Sequence, residues 1–146
     1  MSDFRQLSDS VLASPQLTVD DVASARVAGV GMIVNNRPEG EAADQPPGAL
    51  IEAAAREAGM DYRCIPISHG DFSDAKVRQL IEALDSADGK VLAYCRTGTR
   101  STLLWALAQA ARGMPPEAIA EAAAAAGYDV SPVAPAMAAY AEAARR

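Results

Sequence analysis

The stretch from Val91 to Arg112 constrains this chain more than any other. Val91-Leu-Ala-Tyr94 follows the turn pair Gly89-Lys90 and reads as a short buried strand. Cys95-Arg-Thr-Gly-Thr-Arg100 comes next as a loop, and Ser101–Arg112 reads as a helix. The rest of the chain extends this alternation. Residues 4–7 and 11–13 read as short strands joined by Ser8–Ser10. Thr18 caps a helix over Val19–Ala28, with Asp20 and Asp21 in its first turn, and Gly29 ends it. Gly31–Asn35 reads as a buried strand, Asn36–Pro47 as a loop rich in turn formers, and Ala49–Ala58 as a helix closed by Gly59. Tyr62–Ile67 reads as a strand, and Ser73 caps a helix over Asp74–Ala87. The Ala-rich stretch from about Glu117 to Ala144 supplies two more helices.

Strands alternating with helices predict a three-layer α/β/α sandwich with a mainly parallel sheet. At 146 residues the chain fits one domain, taken as 1–146. Ligands of such sheets bind beyond the carboxyl ends of the strands. Cys95 lies at one such end, and the loops after Asn35 and Ile67 lie at others.

A loop at a helix N-terminus aims unpaired backbone N–H groups at one point and so attracts an anion. Gly98 lets the chain turn there, and the nest that results favours a thiolate at Cys95. Arg100 offers a forked pair of donors to an oxyanion. Arg96, Thr97, Gly98, Thr99 and Ser101 complete the anion-binding loop, and the Ser101 and Thr102 hydroxyls are candidates to hold the thiolate. The competing reading is a structural cysteine beside a surface arginine.

The net charge of −6 argues against binding nucleic acid or an anionic membrane surface. No apolar run approaches the length that spans a bilayer, and the N-terminus lacks a secretion-signal pattern, so a cytoplasmic location is expected. Two cysteines and one histidine cannot form a four-ligand zinc site without carboxylates, so neither metal nor cofactor is expected.

The Cys95 loop resembles the signature of cysteine-dependent phosphatases of the protein-tyrosine and dual-specificity group, Cys-x-x-Gly-x-x-Arg-Ser after a buried strand. Val34-Asn-Asn-Arg-Pro38 with Gln45-Pro46, Ile65-Pro-Ile67, and Ala93–Ser101 are similar to the phosphatase-like domain of bacterial beta-lactamase-hydrolase-like proteins. The resemblance covers roughly residues 3–112. It implies a dual-specificity-phosphatase-like fold. It also implies a metallo-beta-lactamase-fold persulfide dioxygenase as a partner, to which such domains are fused in some relatives.

Three departures from the phosphatase pattern bear on activity. Arg100 stands five residues after Cys95 where phosphatases have six, Tyr94 replaces the usual histidine, and no aspartate is clearly placed as general acid. The shorter ring resembles that of rhodaneses. Sulfane-sulfur transfer through a Cys95 persulfide is therefore the first expectation, from a small anionic donor to an acceptor thiol. Hydrolysis of a phosphoester through a phosphocysteine is the second, with Asp71 as the acid and Asp74 behind it. A non-catalytic anion-binding or sulfur-carrier module is the third.

Other residues carry weaker readings. His69 is a supporting candidate in the loop Ser68–Phe72. Arg37 looks structural in the resemblance, bracing the face that carries Cys95. Cys64 reads as core, with a resolving thiol as the alternative. Trp105, Leu103, Leu104 and Leu107 read as packing beneath the loop.

Overall fold

The computed structural model describes residues 2–68 and 70–146. Five strands form one sheet: β1 (Arg5–Gln6), β2 (Val11–Ser14), β3 (Val30–Asn35), β4 (Asp61–Cys64) and β5 (Lys90–Tyr94). Their order is β1-β2-β5-β3-β4. Only the β1–β2 pair is antiparallel, and the other three pairs are parallel. The helices are α1 (Val19–Val27), α2 (Gly48–Glu57), α3 (Asp74–Ser86), α4 (Thr99–Ala111), α5 (Pro116–Ala125) and α6 (Ala134–Ala144).

The two-residue period of a strand assigns the core to two sides. On β5, Leu92 and Tyr94 join Leu17, Val22, Ile33 and Ile51 in a cluster under α1 and α2. Val91 and Ala93 join Met32, Val34, Leu104, Trp105 and Met137 in the larger cluster under α3 to α6. The expected α/β/α sandwich is the fold observed. Nine of the thirteen residues of α4 are buried, because α3, α5 and α6 all pack around it. A helix so enclosed is apolar nearly all round.

Local chemistry sets the element ends. Thr18 and Asp21 cap α1 reciprocally, at 2.8 and 3.1 Å. Ser73 caps α3. The regular ladder of β4 stops at Cys64, short of the Ile67 expected, because the pairing slips there: two residues of the chain after β4 advance against one of β3. The backbone still follows β3, with Ile65 N–H on Asn35 O and Ile67 N–H on Asn36 O, both at 2.9 Å. Cys64 is exposed, contrary to the core placement expected for it. It occupies the last position of an edge strand, which has a neighbour on one side only.

Parallel pairing brings the carboxyl ends of β2, β3, β4 and β5 to one edge of the sheet. Cys95 N–H donates to Ser14 O at 3.3 Å, and Asn36 N–H donates to Tyr94 O at 2.8 Å. Among the described residues no helix is long and apolar enough to cross a membrane.

Candidate functional site

Cys95 follows β5 directly, and its residue is fully buried at the base of its loop. Gly98 is the N-cap of α4 and adopts φ 91°, ψ −9°, a left-handed conformation open to glycine. That turn brings the Gly98 N–H back onto Cys95 Sγ at 3.1 Å. The sulfur thus sits at the positive end of α4 with a backbone donor already on it. Thr97 and Thr99 tie their hydroxyls together at 3.0 Å on the exposed side of the loop. Arg96 is exposed and makes no ion pair among the described residues.

The hydroxyls of Ser101 and Thr102 have other partners than the sulfur. Ser101 donates to Asn36 Oδ1 and Thr102 to Gly98 O, each at 2.8 Å. Asn36 in turn donates to Ile65 O at 2.8 Å, so Ser101 pins the Cys95 loop to the ends of β3 and β4.

Arg100 is one-fifth exposed and points along the sheet edge. Its Nη1 donates to Glu41 Oε2 at 2.7 Å and to Ile67 O at 2.8 Å, and its Nη2 donates to Glu41 Oε1 at 2.8 Å. Those bonds use three of the five guanidinium N–H groups. Among the described residues the Nε–H and one Nη2–H have no oxygen partner, and together they form the side-on edge that pairs with two oxygens at once. Glu41 above all, and the Cys95 sulfur after it, raise the guanidinium pKa.

Glu41 also accepts from Arg37 Nε at 3.0 Å. Arg37 is 5% exposed, and its Nη1 donates to Gln16 Oε1 at 2.9 Å. The loop that carries Glu41 is held by Gln45, which accepts from Glu41 N–H at 2.9 Å and donates to Pro38 O at 2.8 Å. Arg100 first and Arg37 second lower the Glu41 carboxyl pKa from 4.5 to about 2. Sequence reasoning missed Glu41, Gln16 and the Ile67 carbonyl. Glu41 lies fifty-nine residues from Arg100, and no local pattern joins them.

The two candidate acids differ. Asp74 accepts from the Tyr140 hydroxyl at 2.6 Å and pairs with Arg78 at 3.4 Å. Tyr140 first, then Arg78, lowers its carboxyl pKa, so Asp74 is ionised and occupied at neutral pH. Asp71 is exposed, and its carboxylate has no hydrogen bond or ion pair among the described residues. Its neighbours Gly70 and Phe72 line a cavity of about 520 Å³ together with Arg100, Leu103 and Pro132. His69 lies outside the described residues. No group of three or more metal-ligating side chains occurs among the described residues.

Comparison with known proteins agrees with this architecture. Residues 3–112 match the family described as beta-lactamase hydrolase-like protein, phosphatase-like domain. A beta-lactamase hydrolase-like protein of Agrobacterium fabrum is 33% identical over 108 residues, which are 74% of this chain and 25% of that protein. The chain thus spans about a quarter of the length of that relative. The crystal structure of "a putative phosphatase" from Neisseria meningitidis is 34% identical, covering 93% of this chain and 96% of the other, with a TM-score of 0.83. Human DUSP28 shares the fold at 18% identity, covering 99% and 96% of the two chains, with a TM-score of 0.66. By its matched sequence, its sheet and its cysteine loop, this chain belongs to the phosphatase-like domain family of beta-lactamase hydrolase-like proteins.

Proposed function

We propose that the chain is a cysteine-dependent phosphatase that hydrolyses a phosphomonoester through a Cys95 phosphocysteine. This reverses the order expected from loop length. The observation that carries it is the pairing of Arg100. The Glu41 carboxylate and the Ile67 carbonyl hold its far side, and its side-on edge makes no further hydrogen bond to an oxygen among the described residues. A ring one residue shorter can then still present a two-pronged clamp, because the guanidinium is oriented from outside the ring. The phosphatase description of the Neisseria structure, over nearly the whole chain, supports the same reading.

In the first step the Cys95 thiolate attacks phosphorus and the bond to the leaving oxygen breaks. The loop N–H groups and Arg100 take the charge on the equatorial oxygens. The Asp71 carboxyl group passes a proton to the leaving oxygen as that bond breaks. In the second step water attacks the phosphocysteine, Asp71 takes a proton from that water, and the P–S bond breaks. Inorganic phosphate leaves and the thiolate is restored.

Sulfur transfer is the second reading, favoured by the five-residue spacing from Cys95 to Arg100. There the thiolate takes a sulfane sulfur from an anionic donor and passes it to an acceptor thiol, with no acid needed. A persulfide dioxygenase would be a natural consumer of that product.

Two parallel incubations of wild type and Cys95→Ser separate the readings. One uses p-nitrophenyl phosphate with acid-quenched intact mass, the other thiosulfate with the same readout. Phosphate release and a trapped phosphoryl adduct, both lost in Cys95→Ser, are expected. A sulfur adduct on Cys95 without any phosphate release would overturn the proposal in favour of sulfur transfer. Neither adduct would leave an anion-binding module.

A further inference from the structure

Gly98 creates a problem that the Cys95 loop has to solve. Its glycine backbone permits the left-handed turn, and the same freedom lets the Thr97–Gly98 peptide rotate. That peptide carries the N–H that meets Cys95 Sγ at 3.1 Å. Rotation would turn the donor away from the sulfur and bring a carbonyl oxygen towards it.

Tyr128 closes off that rotation. Its hydroxyl donates to Thr97 O at 3.1 Å. In a trans peptide the C=O and N–H lie in one plane and point in opposite directions. A donor fixed on Thr97 O therefore aims the Gly98 N–H. It also polarises the peptide, which strengthens the bond on the other side. A Cβ at position 98 would collide with the Tyr128 hydroxyl, and would stand 2.9 Å from its Cζ. The missing side chain of Gly98 is thus the space the tyrosine uses.

The tyrosine is itself held firmly. Gly127, at φ 92°, ends α5 with Gly127 N–H on Ala124 O and Tyr128 N–H on Ala123 O, both at 2.9 Å. These two bonds form a Schellman motif and fix where the Tyr128 backbone leaves the helix. Arg5 lies over the ring at 5.4 Å and donates to Ala126 O at 3.2 Å. Burial raises the phenol pKa, which keeps the hydroxyl a donor at neutral pH.

We propose that Tyr128 is a positioning residue for the reaction at Cys95, acting through the Thr97–Gly98 peptide to keep its N–H on the sulfur. Tyr128 lies beyond residue 112, outside the stretch matched by the family, so this support comes from the C-terminal helices. The inference rests on the reading of Cys95 as nucleophile.

Tyr128→Phe removes the hydroxyl and keeps the ring beneath Arg5. Cys64→Ser in every sample leaves Cys95 as the single reporting thiol. The Gly98 amide proton is expected to move and to exchange faster with solvent. Alkylation of Cys95 by iodoacetamide at neutral pH should slow by about 3- to 10-fold, the share of one neutral hydrogen bond. With p-nitrophenyl phosphate, kcat should fall by a similar factor while KM, set by the untouched Arg100 clamp, stays within about twofold. Ile119→Val, which loosens α5 without touching the hydroxyl, should lower the melting temperature and leave these readouts unchanged. The inference is overturned if Tyr128→Phe leaves the Gly98 amide and the alkylation rate as in wild type, or if Ile119→Val alters them equally. Because alkylation and the amide signal need no phosphoester, they also stand if wild type releases no phosphate. That result would remove the phosphatase reading and leave this one intact.

Discussion

At the residue scale, one carboxylate organises the charged side of the site. Glu41 binds Arg100 through two oxygens and shares one of them with Arg37. Glu41→Gln keeps the shape and removes the charge. A hydrogen bond to a charged group contributes about 1.5–3 kcal/mol, so kcat/KM for a phosphomonoester should drop by roughly 10- to 100-fold. Steady-state assays with p-nitrophenyl phosphate check this, and an unchanged kcat/KM would show that Arg100 needs no brace. The same pairing has a signature in acid. A carboxyl whose pKa is lowered on folding stabilises the fold above its ordinary value of 4.5, and that contribution is lost as pH falls towards about 2. Urea midpoints measured across that window should decline less in Glu41→Gln than in wild type. Asp71 makes a different prediction. If it protonates the leaving oxygen, Asp71→Asn should slow an alkyl phosphate by about 10²- to 10⁴-fold and p-nitrophenyl phosphate much less, since nitrophenolate leaves without a proton. Equal losses on both substrates would rule it out as the acid. The sequence made Cys95, Gly98 and Arg100 readable because their chemistry lies within six consecutive residues. Glu41 was unreadable because its partner is distant in the chain and its own loop, rich in turn formers, has no periodicity that would say where a side chain points.

At the scale of elements, α4 carries both the nucleophile's donor and the centre of the larger core. Leu104 is fully buried between the sheet and the surrounding helices. Leu104→Ala should cost about 2–5 kcal/mol of unfolding free energy, read from urea denaturation. A loss below about 1 kcal/mol would mean that the neighbouring helices collapse into the gap. Trp105 packs in the same core, and its Nε1 has no hydrogen-bond partner among the described residues. The strand-loop-helix unit around Cys95 was legible because strand, turn and helix signals are local. The end of β4 was misjudged because the apolar run reaches Ile67 while the pairing with β3 slips by one residue after Ile65, and periodicity does not record a partner's register. Cys64 was misplaced for a related reason: no local signal says that its strand lies at the edge.

For the whole molecule, the family match ends at residue 112, whereas the fold does not. Met137 and Ala141 of α6 and Ile119 of α5 are buried against α4 or beside it. A chain cut after Gly113 would bare that face of α4. It should lose the single cooperative melting transition expected of the full chain, as calorimetry would detect. Retention of a sharp transition would mark α5 and α6 as an appendage. The layer architecture was legible from the alternation of strands and helices. The order of the strands was not, because nothing local records that β5 lies between β2 and β3.

That strand order also governs how the chain is made. β2 and β3 are separated by about fifteen residues of sequence, yet they never touch; each pairs with β5. During synthesis the first sixty residues emerge with a gap where the middle of the sheet belongs, and only later does the strand that fills it arrive. Non-local pairing of this kind is slow, because the chain between must be closed before any contact forms. The strand that completes the sheet is also the one that leads directly into Cys95. The insertion that joins the two halves is therefore the event that assembles the reactive thiol, so an unfinished chain has no finished site.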